Sequence, residues 1–133
     1  GDVYKRQGLE TVYRMQTDEV LSAPEIGAAA MAGEGPAREA ATTMLGLLGT
    51  VIADAVLTMG CWRGVVIAGG IVAQLQPLLA DSPFTERFRH SGTMRRLLAD
   101  VPVWLSVDPH AGLRGAAAAM ATSSLQARVI TAG

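Results

Sequence analysis

Apolar positions recur along the chain in blocks whose spacing separates helix from strand. Leu9, Val12 and Tyr13 fall on one side of a short helix predicted over Gly8 to Gln16. Ser22-Ala23-Pro24-Glu25 carries a helix-start signature, with Ser22 as N-cap, Pro24 early in the first turn and Glu25 three residues after the cap. That helix runs through Ile26 and Met31 and stops at Gly33, and Gly35-Pro36 punctuates the chain before its longest element. From Ala37 to about Met59, residues Met44, Leu48, Val51, Ile52, Ala55 and Met59 follow helical spacing and form one apolar stripe. Leu45, Leu47, Val56 and Leu57 widen it, so the helix is expected to be buried over much of its circumference. Gly46 and Gly49 each cost about 1 kcal/mol relative to Ala inside a helix, and close approach of a neighbouring backbone is the expected compensation. Gly60 supplies the stop.

The period then changes. Gly64-Val65-Val66-Ile67-Ala68-Gly69-Gly70 is a short β-branched run bounded by glycines, the pattern of a parallel strand buried on both faces. From Gly70 the chain turns helical through Ile71, Leu75, Leu78 and Leu79. Two short helices follow, one after Ser82-Pro83 carrying Phe84 and Phe88, the other after Gly92 carrying Met94, Leu97 and Leu98. Val101 to Val107 is a second strand, with Pro102 at its start, where a missing N–H is tolerated. Asp108-Pro109-His110-Ala111-Gly112 reads as a turn and Leu113 to about Ala121 as an Ala-rich closing helix. Helix, strand, helices, strand, helix is an α/β order with two parallel strands joined by a helical crossover. Two strands do not complete a sheet for such a domain, so the chain is expected to be part of one.

Composition narrows the class. Half of the 133 residues are apolar and 17% are charged, too apolar a balance for intrinsic disorder. Aromatics are only 5%, which predicts a core of closely packed small side chains. Eleven basic against twelve acidic residues give no electrostatic reason to bind nucleic acid. A single cysteine, Cys61, excludes an internal disulfide and a cysteine-rich zinc site. The most apolar stretch, Met44 to Met59, is broken by Thr50, Asp54 and Thr58, which argues against a membrane span. The basic residues near the start have no apolar segment after them, so no signal peptide is read there, and a cytoplasmic protein is expected.

Residues 1–7 stand apart. Asp2-Val3-Tyr4-Lys5-Arg6-Gln7 resembles the conceptual translation of a transposase adapter end used in preparing sequencing libraries. An ordinary polar helix start is the other reading. The adapter reading is preferred, and the native protein is expected from about Gly8.

The strand–Gly-Gly–helix unit at Val65 to Val72 is the best candidate for chemistry. Glycines after a strand let a ligand approach the backbone, and a helix N-terminus favours anionic groups. Many such turns contain glycine for steric reasons alone, and both readings stand at this point. The three-glycine spacing of a dinucleotide fingerprint is absent, which argues against a nicotinamide cofactor. Asp108 and His110 could pair as acid and base, but a turn is the simpler assignment. His90 and the basic stretch Arg87, Arg89, Arg95 and Arg96 read as solvated, and Cys61 and Trp62 as packing residues.

These segments, taken in order, resemble the bacterial glucokinases of the hexokinase/actin-like ATPase superfamily. Gly64-Val65-Val66-Ile67-Ala68-Gly69-Gly70-Ile71-Val72 is similar to the family's segment after its long helix, and Ser82-Pro83-Phe84-Thr85-Glu86-Arg87-Phe88 to the segment that follows. Gly92-Thr93-Met94-Arg95 resembles a Lys-Gly-Arg-Met-type turn in which Ser91 and Thr93 replace the usual basic residues. Val101-Pro102-Val103-Trp104-Leu105 resembles the family's Ile-Pro-Val-Tyr strand, and Pro109-His110-Ala111-Gly112-Leu113-Arg114-Gly115-Ala116-Ala117 its Pro-Gly-Leu-Leu-Gly-Ala-Ala close. Upstream, Gly8-Leu9-Glu10-Thr11-Val12-Tyr13 is similar to its Gly-Leu-x-x-x-Tyr helix.

The resemblance implies an incomplete actin-like ATPase (ribonuclease H-like) domain, with residues 8–133 forming the carboxy-terminal part of the large domain. It implies an enzyme that, at full length, uses ATP with Mg to phosphorylate glucose to glucose 6-phosphate. Ala68, Gly69, Gly70 and Ile71 match the adenosine-binding motif. The family's phosphate-binding Asp-Gly-Gly-Thr segment, catalytic-base Asp and Glu-Gly-Gly-His sugar segment precede the matched region, so no catalytic or metal-binding residue is assigned, and the fragment alone is expected to be inactive. ATP and glucose are the implied partners of the full-length enzyme, with a homodimer as the implied assembly and neither nucleic acid nor membrane as partner. A sugar-kinase-like transcriptional repressor and a non-catalytic nucleotide-binding module are the alternatives.

Overall fold

A computed structural model of the chain describes residues 2–33, 35–90, 94–108, 110, 113–114 and 117–118. Helix α1 spans Asp2–Thr17, α2 Ala23–Met31 and α3 Gly35–Met59. Strand β1 (Val65–Ile67) leads into α4 (Gly70–Gln74) and a 3₁₀ turn at Gln76–Leu78, followed by α5 (Phe84–Arg89), α6 (Arg95–Ala99) and strand β2 (Val103–Leu105). The order is the α/β one expected from the sequence. The turn expected at Gly92 lies outside the described residues, as do Pro109, Ala111 and Gly112 and most of the closing helix; Leu113, Arg114, Ala117 and Ala118 are helical.

Helix α1 begins six residues before the expected Gly8. It buries Leu9 and Tyr13 and sends the Glu10 carboxylate onto the start of α2, where Oε1 accepts the Ala23 N–H at 2.8 Å. Helix α2 starts as its sequence dictates. The Glu25 carboxylate accepts both the Ser22 hydroxyl (2.7 Å) and the Ser22 N–H (2.8 Å). These two bonds, the hydroxyl's first, hold the exposed Glu25 carboxyl below the usual glutamate range.

Helix α3 is the organising element, packed against α1, α2 and α5. It begins at Gly35 with Pro36 in its first turn and ends at Gly60, whose backbone is left-handed (φ 68°) and whose N–H bonds the Val56 carbonyl at 2.9 Å. Its buried face matches the expected stripe in part: Met44 and Ile52 are buried and Leu48 and Ala55 half-buried. Ala37, Ala40, Ala41, Leu45, Ala53 and Val56 face inward, whereas Leu47, Val51 and Met59 are exposed, Val51 at 61% and Met59 at 70%. Packing distance explains the shift. The neighbouring helices lie against a face where alanines and glycines alternate with Met44, Leu45, Ile52 and Val56, which leaves Leu47 and Val51 on the far side.

Gly49 is where the approach is closest. A Cβ there would sit 2.5 Å from the carbonyl oxygen of Phe84, so the backbone of α5 occupies the space a side chain would need. At Gly46 the obstacle is the Pro83 ring, 2.7 Å from the same construction. The expected close backbone approach is therefore met at Gly49, while Gly46 makes room for a side chain. Phe84 and Phe88, one helical turn apart, are buried beneath this contact with near-parallel rings 6.4 Å apart.

The strands pair in parallel in the register Val65 with Val103, Val66 with Trp104 and Ile67 with Leu105. The ladder continues at both ends, through Val65 N–H to the Pro102 carbonyl (2.9 Å) and Ser106 N–H to the Ile67 carbonyl (2.8 Å). Burial on both faces is not observed. Ile67 is buried, but Val66 and its partner Trp104 are 64% and 53% exposed. The inward face looks across a hollow toward Phe84 and Phe88 of α5, and the side of Val66 and Trp104 is left uncovered among the described residues, whereas parallel sheets are ordinarily covered on both faces. By length and composition α3 could cross a membrane, yet half of its most apolar window is buried inside the protein.

Candidate functional site

The expected site residues sit together where β1 hands over to α4. Ala68 is exposed, Gly69 and Gly70 are partly exposed, and Ile71 is buried in the core at 3% exposure. The Ile71 side chain is therefore a packing group, and only its backbone could face a ligand. Gly69 has φ 137° and ψ 147°, a conformation that L side chains rarely adopt, and it turns the chain from strand to helix in one residue. Its carbonyl accepts the Ala73 N–H at 3.1 Å, closing the first turn of α4.

Gly70 does a different job. Its backbone is ordinary, and a Cβ built on it meets only the Arg6 guanidinium, at 3.9 Å. That absent side chain leaves an open stretch of backbone beside an exposed Ala68. A planar apolar group could lie on it. Helix α4 is five residues long, and its dipole is correspondingly small. The open surface, rather than the helix terminus expected from the sequence, is what this turn offers a ligand. Lys5 and Arg6 of α1 border it, Lys5 Nζ donating to the Ala68 carbonyl. Both belong to the adapter-like residues 1–7, and the open backbone owes nothing to them.

Behind the turn, α4 rests on α2. The Gln74 side-chain amide lies against Gly27, where a Cβ would stand 2.6–2.8 Å from Oε1, Cδ and Nε2, and Nε2 reaches the Pro24 carbonyl at 3.5 Å. No pattern in the sequence marks either residue. The Glu10–Ala23 bond is equally invisible to a local reading, since it joins residues thirteen apart on different helices.

The remaining candidates separate from this turn. The Asp108 carboxylate accepts the His110 backbone N–H (2.9 Å) and pairs with Arg114 Nε (3.3 Å), an Asx-type turn rather than an acid–base pair. His90, Arg87, Arg89, Arg95 and Arg96 are exposed, as expected. Arg87 and Arg89 border different hollows, Arg87 beside Thr50 and Pro83, Arg89 beside Ala99 and Val101. Cys61 is half-buried and Trp62 is 46% exposed. A cavity of about 360 Å³ opens between the sheet and α5, lined by Ile67, Val72, Phe84, Phe88, Val103 and Leu105 among others. Thr85, Arg89 and Asp100 add polar groups to its lining, and none of Ala68, Gly69 or Gly70 borders it. Among the described residues no three His, Cys, Asp or Glu side chains converge as a metal site.

Comparison with known proteins gives one answer. The glucokinase family's sequence model matches residues 3–123. The chain is 34% identical over 112 residues to a glucokinase of Stenotrophomonas maltophilia, covering 84% of this chain and 33% of that protein. It is 36% identical over 126 residues to a glucokinase of Helicobacter pylori, covering 94% of this chain and 37% of that protein. The crystal structure of a glucokinase from an Antarctic psychrotroph superimposes with a TM-score of 0.75 at 30% identity, over 88% of this chain and 38% of that one. The chain thus spans about a third of the length of the curated relatives it matches. A family match over nearly the whole chain, joined to a shared three-dimensional arrangement, leads to one assignment: the chain belongs to the glucokinase family.

Proposed function

We propose that this chain is the carboxy-terminal part of the large domain of a cytoplasmic glucokinase with an actin-like ATPase (ribonuclease H-like) fold, and that it supplies a wall of the ATP site. The complete enzyme transfers the γ-phosphoryl group of ATP to the 6-hydroxyl of glucose. The bond from γ-phosphorus to the ADP oxygen breaks, a bond to the sugar oxygen forms, and the hydroxyl proton leaves to a base. The open backbone at Gly70 is the observation that carries the nucleotide part of this reading. Open backbone without a side chain leaves room for a purine or ribose face, and the φ of 137° at Gly69 makes the turn that exposes it. Ala68, Gly69, Gly70 and the backbone of Ile71 are the contacts assigned to adenosine.

Phosphoryl transfer needs a base, phosphate contacts and a metal to position and neutralise the reacting groups. In this reading those groups, with Mg and the glucose site, belong to the remainder of the enzyme, which acts as a homodimer. The test compares two proteins in a coupled assay for glucose 6-phosphate: the complete product of the gene containing this sequence, and the 133-residue chain. The complete protein is expected to be active with ATP and glucose and the chain inactive. Activity of the chain alone, or inactivity of a folded complete protein, refutes the reading.

A further inference from the structure

The contact behind the glycine turn has a geometry that its exposure alone would not require. Gly27 is buried on α2, and the space its side chain would fill is taken by the end of the Gln74 side chain, the last residue of α4. Pro24, one helical turn earlier, turns its carbonyl to the same amide. Helix α4 is too short to hold its own orientation, having one turn of internal bonds. Its direction must come from its neighbours. Ile71 and Val72 anchor its inner side in the core, and the Gln74 amide anchors its far end on α2. Helix α2 is itself fixed, by the Glu10 carboxylate on the Ala23 N–H and by the Ser22–Glu25 pair.

We propose that Gln74 is a positioning residue for nucleotide binding: its amide, seated on the side-chain-free surface of Gly27, holds α4 against α2 and thereby sets the Gly69–Gly70 turn at the angle ATP requires. The inference rests on the nucleotide role proposed for that turn. Gln74 touches no reacting group. It acts through the four residues between it and Gly69, so its loss tilts the turn without removing a ligand contact.

Three variants of the complete protein test it: Gln74→Ala, Gly27→Ala and the pair together. Gln74→Ala frees the end of α4, and KM for ATP rises by roughly 3- to 10-fold while KM for glucose and kcat stay near the parent values. Gly27→Ala displaces the amide and gives the same signature. The pair is the decisive arm. With the amide gone, a methyl group at 27 has nothing to displace, so the double variant behaves as Gln74→Ala alone and the effects do not add. Additive effects, or equal rises in both KM values, overturn the proposal. Hydrogen exchange of the Ala73 amide, which bonds Gly69 within α4, gives a readout that needs no nucleotide. It should quicken in both single variants. If the complete protein binds no ATP but exchange quickens as stated, the nucleotide role of the turn fails and the anchoring of α4 stands. Unchanged exchange overturns the anchoring itself.

Discussion

Substituting Gly49 by alanine sets two ordinary effects against each other, and the structure says which prevails. In an open helix the change is favourable by about 1 kcal/mol, because alanine loses less backbone freedom on folding than glycine. Here the new methyl carbon would stand 2.5 Å from the Phe84 carbonyl oxygen and 3.2 Å from the Phe84 Cα and carbonyl carbon. Carbon and carbonyl oxygen come no closer than about 3.3 Å even in a weak C–H···O contact, so α3 and α5 must part by roughly 1 Å. The obstacle is backbone and cannot rotate away. Parting the helices also loosens Phe84 and Phe88, which are buried directly below. Overpacking of this kind costs ~1–3 kcal/mol, with a rigid backbone obstacle placing it toward the upper end. Subtracting the propensity gain leaves a net loss of about 1–2 kcal/mol. For a chain of this size that is a fall in melting temperature of roughly 3–10 °C.

Gly8→Ala is the control, since its Cβ would meet nothing within 4 Å on the same kind of helix. It should gain about 0.5–1 kcal/mol and melt a few degrees higher. Thermal melts followed by circular dichroism, with urea midpoints as a second measure, compare the two. Gly49→Ala melting at or above the parent would refute the backbone-contact account of α3–α5 packing.

Four further outcomes follow from single contacts. Glu25 has a folded pKa below its unfolded one, so its contribution is present above the ordinary glutamate range and is lost as the pH falls through the lowered folded value; melts of parent and Glu25→Gln should differ near neutrality and converge in acid, and a constant gap would contradict this. Glu10→Ala leaves the Ala23 N–H without its carboxylate and should cost ~1 kcal/mol, whereas Glu10→Gln, which keeps an acceptor oxygen, should cost less by the same melt. Gly69→Ala forces a side chain into a φ of 137° and should lower stability by ~1–3 kcal/mol. Gly70→Val in the complete enzyme should raise KM for ATP far more than KM for glucose with the melt unchanged, and unaltered ATP affinity in a folded variant would return the glycine pair to a packing role.

Elements with a local chemical signal were legible residue by residue. The Ser22–Glu25 start of α2, the Gly-Pro start of α3, its stop at Gly60 and the parallel pairing of the two β-branched runs all follow from rules acting within a few residues. The buried face of α3 was legible in part: Met44, Leu45, Ile52 and Val56 are buried as expected, but hydrophobicity also ranks the exposed Leu47, Val51 and Met59 above the buried Ala40, Ala41 and Ala53. A helix meeting three neighbours at short range buries alanines and glycines beside Met44, Leu45, Ile52 and Val56, and composition alone does not say which other large residues stay outside. Val66 departs from the expected burial for a related reason, and its partner Trp104 shares its exposure. Their β-branched and aromatic character says that something covers them, and a single chain spanning about a third of its relatives' length need not contain that cover.

The glycine turn shows the same division within two adjacent residues. Their place after a strand makes both candidates for facing a ligand, and a single rule, that glycine permits unusual φ, covers either. The structure separates the roles. Gly69 needs the rule, with φ 137°, and a substitution there acts first on the fold. Gly70 begins α4 with an ordinary backbone and open space where a side chain would stand, so a substitution there acts first on whatever approaches. The angle at which that open surface is presented depends in turn on Gln74 and Gly27, forty-seven residues apart in sequence and in direct contact in space. A sequence motif can therefore name candidates for facing a ligand. It takes the tertiary contact behind them to say which of those residues shapes the turn, which clears the surface, and what holds both in place.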